Sequence, residues 1–411
     1  MFSQRIKFSK LNKIIIGFFL LSCFLPYSPH LISFLDLQPF APFFAAVIIP
    51  LTLYFLKIDA KDTLWIFIGI FISLFNLLLF SGLTNLRINL AFLSFSFFYI
   101  IGFNLYRLID VNSIKKIIKF FFFFWILAII FQAMGFSLDF MSPNRTNIVR
   151  GFTSLAPEAT FAALHMIYFL PIFCLFYYKN EISNKEFHIY VAIILFLSIF
   201  IHLSATVLLC ILIAAFFSFL VFLKKFKIFF LSLISIFVFS ILLHILEIIF
   251  INEIIVSTLQ FIASIFGAND VRILKIIEVA LQGNILRDAS AFDRLTSSMK
   301  VLLDPYFLPF PRSHEIWIYD VNSFISNLSG DTEFTAVNST YRNLSGIGQL
   351  NFTLGVLLII PLLGLFKSFF IFKKGKFYLL IFLASLVLST QIAHPLIGLI
   401  LGLFANIKAE S

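Results

Sequence analysis

The sequence predicts an all-α polytopic membrane protein with about twelve transmembrane helices and one long extracytoplasmic loop. Apolar residues make up 61% of the 411 positions and charged residues only 12%, and the mean hydropathy is +1.04. Soluble domains contain roughly 45–50% apolar and about 25% charged residues, so a water-soluble globule is excluded. The apolar residues also fall into separate runs, most of them close to the length that one membrane crossing requires.

Twelve apolar segments follow one another along the chain, and short polar connections separate all but one pair of neighbours. The exception is the interval 251–345, which alone resembles a soluble subdomain. We therefore predict a membrane domain over 1–250, an extracytoplasmic loop subdomain over 251–345 and a second membrane part over 346–411. The predicted helices are 12–30, 37–56, 63–80, 88–108, 117–136, 158–178, 188–202, 204–223, 228–250, 346–366, 377–390 and 392–407.

The long loop is predicted to contain short amphipathic helices. Between 271 and 282, charged residues recur every three positions among isoleucines and leucines, a pattern typical of a helix at the membrane interface or of a lid. A second helix is predicted to begin at Ser290, with Asp293 as its capping partner. Three prolines between 305 and 311 then predict an irregular loop.

The distribution of Lys and Arg predicts the orientation in the membrane. If the N-terminus is cytoplasmic, alternating crossings place 20 of the 30 cations in cytoplasmic connections and 10 on the other side. Cytoplasmic loops of membrane proteins carry this excess of positive charge. Both termini are therefore predicted to be cytoplasmic and the long loop extracytoplasmic.

The two sides also differ in the type of cation. Of the 20 predicted cytoplasmic cations 18 are Lys, whereas 8 of the 10 on the outer side are Arg. The chain is rich in Phe, Ile, Lys and Asn, which is typical of AT-rich codons, so Lys is its default cation. Because the guanidinium group binds phosphate or carboxylate oxygens bidentately, outward Arg residues indicate an anionic ligand. The alternative is that these Arg residues form ion pairs with acidic residues of the same loop. The interval 251–345 contains 10 Asp and Glu and 7 Lys and Arg.

The sequence gives no sign of a cofactor, a metal or a nucleic-acid partner. The three cysteines lie inside apolar runs, which supports neither a disulfide framework nor a zinc site. Phosphate-binding loops and dinucleotide fingerprints are absent, and the cytoplasmic connections are too short to contain an ATPase. The energy for any reaction must therefore come from a gradient or from an activated substrate.

The most informative stretch leads from a predicted outer loop into the sixth helix. It reads Arg150-Gly-Phe-Thr-Ser-Leu-Ala-Pro-Glu158, and His165 follows seven residues later. Glu158 is predicted in the first helical turn, where the helix dipole favours a carboxylate, and His165 on the same face about 10 Å along the axis. Two interpretations remain open for each residue. Glu158 is either functional or a helix cap, and His165 is either functional or a packing residue.

This stretch resembles the Arg…Glu-Pro-Ser segment of bacterial O-antigen and exopolysaccharide polymerases of the Wzy type. Further features follow in the order of that family: a short hairpin before Ser204, an Arg-led helix at Asp293-Arg294, and the run 350–355 leading into the tenth segment. His394-Pro395 then begins the last hairpin. The sequence departs from the family pattern in two places. Pro157 precedes Glu158 instead of following it, and the Gly-x-Gly that the family has after the Arg-led helix is missing.

The resemblance implies a reaction. Such polymerases transfer a growing glycan from a polyprenyl diphosphate carrier to a lipid-linked repeat unit at the outer face of the bacterial cytoplasmic membrane. It implies catalytic roles for Glu158, Arg150 and Arg294, with Glu158 and His314 as candidates for the general base. The residues predicted to bind substrate are Arg145, Arg287, Arg312, His314, Arg342 and His165. The expected partners are the lipid-linked repeat units and the lipid bilayer, with a chain-length regulator and a flippase as further candidates.

Two other functions compete with polymerisation. An O-antigen ligase is similar in fold, but that family usually has a His next to an Asn ahead of the helix after the long loop, and no His precedes Asn338 here. A flippase for lipid-linked oligosaccharides is expected to have two related halves and short loops, which the interval 251–345 does not fit. The sequence therefore favours a polymerase over both.

Overall fold

The computed structural model describes helices and no strands in the ranges that it covers, which confirms the predicted all-α class. The residues described are 10–31, 37–52, 56, 58, 60–136, 138, 141, 151–222, 309–313, 346–358, 360–361, 375–388 and 391–410. The predicted segment 228–250 and the predicted loop helices at 271–282 and Ser290 lie outside these residues. Residues 309–313 are irregular, as their prolines predict.

Eleven α-helices occur in the described ranges, and each one overlaps a predicted segment. In chain order they are α1 Lys10–Phe24, α2 Phe40–Thr52, α3 Ala60–Leu79, α4 Leu83–Leu108, α5 Val111–Ala133, α6 Ala159–Tyr178, α7 Asn184–Phe196, α8 Ala205–Phe222, α9 Gly346–Leu354, α10 Lys376–Leu388 and α11 Pro395–Glu410. A π-helical turn, Leu197–Ile201, continues α7. The segment predicted as one helix over 346–366 changes at Gly355, where φ is +52°, from α-helix to the 3₁₀ turn Gly355–Leu358.

Four helical stretches in the described ranges are long and apolar enough to cross a membrane: Lys61–Leu79, Asn85–Leu108, Ala159–Tyr178 and Asn184–Ile201. Five of the other described helices are apolar but shorter. Together they make the protein a membrane-embedded helical protein.

The helices are apolar on the outside and partly polar on the inside. On α3, Phe67 is 68% exposed and Leu78 is 81% exposed, whereas Asn76 on the opposite face is fully buried. The Asn76 side-chain amide donates a hydrogen bond to the Asn89 side-chain oxygen of α4 at 3.1 Å. Lipid chains solvate exposed apolar side chains, and buried amides find partners on neighbouring helices. This pattern fits a membrane location.

Helices α4 and α11 pack closely against each other through glycines. A Cβ atom built on Gly398 of α11 would lie 2.6 Å from the Phe98 Cβ and 2.8 Å from the Phe95 carbonyl oxygen of α4. Gly402, four residues later, touches the α4 backbone in the same way, and Gly102 of α4 lies against the backbone of α11. Small residues four positions apart allow helix backbones to approach closely in membranes. This contact anchors the last helix, and therefore the connection before it, to the centre of the bundle.

Gly402→Ala is expected to destabilise the protein by about 1–3 kcal/mol, because the added methyl group must push two backbones apart. Gly17→Ala is the matched control. Gly17 also lies inside a helix, but a Cβ there meets nothing within 4 Å, so its replacement removes only the low helix propensity of glycine. Thermal unfolding in detergent should therefore shift in opposite directions for the two variants. Equal stability of both would contradict the close α4–α11 contact.

The two ends of the bundle differ in chemistry. At one end, Lys115 and Lys119 of α5 pair with Glu181 at 3.1 Å and Glu186 at 3.0 Å, across the connection between α6 and α7. These partly exposed pairs add only about 0–1 kcal/mol each, but they bring together connections that the cation count predicts to be cytoplasmic. At the opposite ends of α5 and α6 lie the connections predicted to be outside, and these contain the candidate site.

Candidate functional site

The segment that precedes α6 is buried and tied to the end of α5. Thr153 and Ser154 are each 2% exposed. The side chain of Gln132 binds both, because its amide nitrogen donates to Thr153 Oγ1 at 3.0 Å and its oxygen accepts from the Ser154 backbone nitrogen at 2.8 Å. The Ser154 hydroxyl donates to the Trp125 carbonyl oxygen at 3.1 Å. One glutamine of α5 therefore fixes the path of the chain toward α6.

The turn between α7 and α8 holds the same segment from the other side. The Phe152 backbone nitrogen donates to the Ile201 carbonyl oxygen at 3.1 Å, and the His202 ring donates from Nδ1 to the Phe152 carbonyl oxygen. Gly151 has φ of +95°, and a Cβ there would lie 2.6 Å from the His202 carbonyl oxygen. Only glycine fits this position, both for its backbone conformation and for the space available. The glycine that follows Arg150 in the sequence is therefore required by the fold.

Glu158 ends this segment, one residue before α6 begins. We predicted it in the first helical turn, but its extended backbone (φ −141°, ψ 147°) makes it the N-cap residue. Its carbonyl oxygen accepts from the Ala162 backbone nitrogen, whereas its side chain makes no capping hydrogen bond. Among the described residues the carboxylate has no hydrogen-bond or ion-pair partner, and the side chain is partly exposed. The Glu158 carboxylate is therefore the candidate functional group of this segment.

His165 lies two turns further along α6 and is fully buried. Its ring stacks on the Trp125 indole, with 4.1 Å between ring centres, and its Nδ1 lies 3.2 Å from Nε2 of His394. The Leu396 backbone nitrogen donates to His394 Nδ1, so in the neutral ring Nε2 of His394 carries the proton and donates it to His165. The remaining donor, His165 Nε2, is buried without a partner among the described residues.

Arg312 lies in a different part of the described structure. Its guanidinium group donates from Nε to the Phe352 carbonyl oxygen and from Nη2 to the Asn351 carbonyl oxygen, both at 3.1 Å, in α9. Its backbone nitrogen donates to the Asn76 side-chain oxygen of α3 at 2.8 Å. These bonds join the irregular segment 309–313 to α3 and α9. Arg312 is also 9% exposed, so it is the buried cation of this segment.

The predicted site residues are thus distributed unevenly over the described part of the chain. Glu158 is the N-cap residue of α6 and His165 lies within that helix, whereas Arg312 contacts α3 and α9. The other predicted residues, Arg145, Arg150, Arg287, Arg294, His314 and Arg342, lie outside the described residues. Gln132 and His202, which position the segment before Glu158, are not among the predicted site residues. The only signal for them is that each is a polar residue within or at the end of an apolar segment.

No group of three or more His, Cys, Asp or Glu residues in the described ranges has the arrangement of a metal site. No protein-family model, no curated protein sequence and no solved structure matches the chain. The sequence and the geometry of the described residues are therefore the basis for a proposed function.

Proposed function

We propose that the protein is a polysaccharide polymerase of the cytoplasmic membrane of a bacterium. In this proposal it transfers a growing glycan from a polyprenyl diphosphate carrier to a lipid-linked repeat unit. The observation that carries the proposal is the carboxylate of Glu158, which follows directly on a buried and hydrogen-bonded segment and has no partner among the described residues. The outward excess of Arg over Lys supports the proposal independently, because it suits a diphosphate ligand.

The proposed reaction is a displacement at the anomeric carbon of the carrier-linked sugar. A hydroxyl oxygen of the acceptor sugar forms the new glycosidic bond, while the bond from the anomeric carbon to the diphosphate breaks and the diphosphate leaves with its electron pair. Glu158 accepts the hydroxyl proton as general base. Arg150 and Arg294 stabilise the charge that develops on the leaving diphosphate. The activated carrier supplies the free energy, so no ATP is required.

The proposal includes a topology of twelve crossings with both termini in the cytoplasm. The contacts among the described connections support this order. The segments 151–158 and 201–204, both assigned to the outer side, meet at one end of the bundle. At the other end, the first turns of α5 pair with the connection after α6 and with the start of α7, all of which are assigned to the cytoplasmic side.

Cysteine labelling tests this topology. Asn144→Cys and Asn327→Cys are expected to react with a membrane-impermeant thiol reagent in intact spheroplasts, and Lys374→Cys only after lysis. The native Cys23, Cys174 and Cys210 are at most 1% exposed, so their background reaction should be low. Labelling of Lys374→Cys in intact spheroplasts would show that the predicted orientation is wrong. The Arg-rich side would then not be the outer side, and the Arg excess would no longer support an extracytoplasmic anionic ligand.

Deletion of the gene tests the reaction. Cells that lack the protein are expected to carry a single repeat unit on the final acceptor, or to accumulate single lipid-linked units, because polymerisation stops and earlier steps continue. The wild-type gene on a plasmid should restore long polymer. Accumulation of long polymer on the lipid carrier would instead identify a ligase, since polymerisation would then precede the missing step.

A further inference from the structure

The end of α9 has backbone oxygens that need hydrogen-bond donors from outside the helix. The last four carbonyl groups of an α-helix have no partner within the helix, and in α9 they include those of Asn351 and Phe352. The α-helix does not continue, because Gly355 has φ of +52° and a 3₁₀ turn follows. This break lies inside a segment that is predicted to cross the membrane, where lipid offers no donors. Other parts of the protein must therefore supply them.

The side chain of Arg312 supplies two of these donors. Its Nε donates to the Phe352 carbonyl oxygen and its Nη2 to the Asn351 carbonyl oxygen, both at 3.1 Å. The guanidinium carbon also lies 5.8 Å from the centre of the Phe310 ring and 5.7 Å from that of the Phe352 ring, within the range of cation–π contacts. A positive charge is favoured at this end of a helix by the helix dipole. The guanidinium group is thus a C-terminal cap for α9.

The backbone of Arg312 is held by α3. The side-chain oxygen of Asn76, which is fully buried, accepts from the Arg312 backbone nitrogen at 2.8 Å. The Asn76 amide in turn donates to the Asn89 side-chain oxygen of α4, and the Asn89 amide donates to the Asn85 carbonyl oxygen at 2.8 Å. A chain of hydrogen bonds therefore runs from α4 through α3 to Arg312 and on to α9. Buried polar groups in such a chain are costly to separate.

We infer that Arg312 is a positioning residue, which anchors the end of the extracytoplasmic loop to the membrane domain instead of binding substrate. Arg312 belongs to the predicted loop 251–345, whereas its partners belong to α3 and α9. The Nε–Nη2 edge, which would bridge two phosphate oxygens, is occupied by the carbonyl groups, and the residue is only 9% exposed. The candidate base His314 is the second residue after Arg312, so the anchor limits where the loop can place it. The inference goes beyond the proposed function and does not depend on it.

Thiol labelling beside the anchor tests this inference. Ser313→Cys, which follows Arg312 directly and replaces a partly exposed side chain, is introduced into the full-length protein in lipid nanodiscs. The rate of its reaction with a water-soluble maleimide increases with the population in which the segment has left the membrane domain. We expect Arg312→Ala to raise this rate about tenfold, because two charge-assisted hydrogen bonds are lost. Arg312→Lys should give a smaller rise, since an ammonium group lacks the planar fork, and so should Asn76→Leu.

Asn89→Leu is the matched control. It removes the partner of the Asn76 amide but leaves the Asn76 oxygen able to accept from the Arg312 backbone nitrogen. It should therefore label at the rate of the Ser313→Cys parent. The native cysteines, which are at most 1% exposed, report global unfolding and should stay unreactive in every variant: Cys23, Cys174 and Cys210.

Two results would overturn the anchor. Equal labelling rates in Arg312→Ala and the parent would show that the segment keeps its place without the guanidinium group. If polymer were also lost at normal protein abundance, Arg312 would be a substrate ligand, as the resemblance in sequence implies. A matching rise at the native cysteines would show that Arg312 supports the whole fold and not the loop alone. Labelling does not require polymer formation, so failure of the polymerase proposal leaves this test unchanged.

Discussion

Glu158→Gln is expected to reduce polymer formation by roughly 100- to 10,000-fold, the contribution typical of general acid–base catalysis. Glutamine keeps the shape and hydrogen bonding of the side chain but cannot accept a proton at neutral pH. Glu158→Asp, which keeps a carboxylate on a shorter side chain, should retain part of the activity. The measurement is polymer length on gels from cells that express each variant in a deletion background, with protein abundance checked by blot.

A helix-cap role for Glu158 predicts a different result. Asp is a good N-cap residue, and Gln leaves the backbone contact of the Glu158 carbonyl oxygen with Ala162 unchanged, so both variants would then polymerise normally. The absence of a capping hydrogen bond from the Glu158 side chain already argues against that role. Glu181→Gln serves as the matched control, because it neutralises a glutamate that pairs with Lys115 at the other end of the bundle. It should leave the polymer unchanged.

The helices were predictable from hydropathy because each crossing must bury about 20 apolar residues. Errors occurred where polar residues belong to a helix. The fourth helix is predicted to begin at 88, whereas α4 begins at Leu83, because Asn85 and Arg87 resemble loop residues. Asn85 is in fact buried. The fifth helix is predicted to begin at 117, whereas α5 begins at Val111, capped by the Asp110 side chain, which accepts from the Ser113 backbone nitrogen.

The candidate site was predictable only along one helix. The sequence places Glu158 at the start of α6 and His165 two turns further along it, but the partner of His165 is His394, 229 residues away in the chain. No local pattern encodes such a contact. The same holds for Gln132, which binds Thr153 and Ser154 from the neighbouring helix. Tertiary packing sets these distances, and packing is not visible in a single sequence.

Arg150→Lys and Arg294→Lys are expected to cost most of the activity, although both keep the positive charge. A guanidinium group bridges two phosphate oxygens, whereas an ammonium group offers one compact charge. Loss of one charge-assisted contact costs about 1.5–3 kcal/mol, which is roughly a 10- to 150-fold loss of rate if the contact tightens in the transition state. In a chain where Lys is the default cation, we expect the arginines predicted to face outward to be the residues that use this bridging geometry.

Arg107→Lys is the matched control for this pair. Arg107 lies near the end of α4, in a connection predicted to be cytoplasmic, where only the positive charge is needed. Its replacement should leave polymer length and protein abundance unchanged, while Arg150→Lys and Arg294→Lys shorten or abolish the polymer at normal abundance. If both of these variants made normal polymer, the two arginines would be ion-pair partners of the loop acids instead. The diphosphate would then need other ligands, and the outward Arg excess would no longer support a lipid diphosphate substrate.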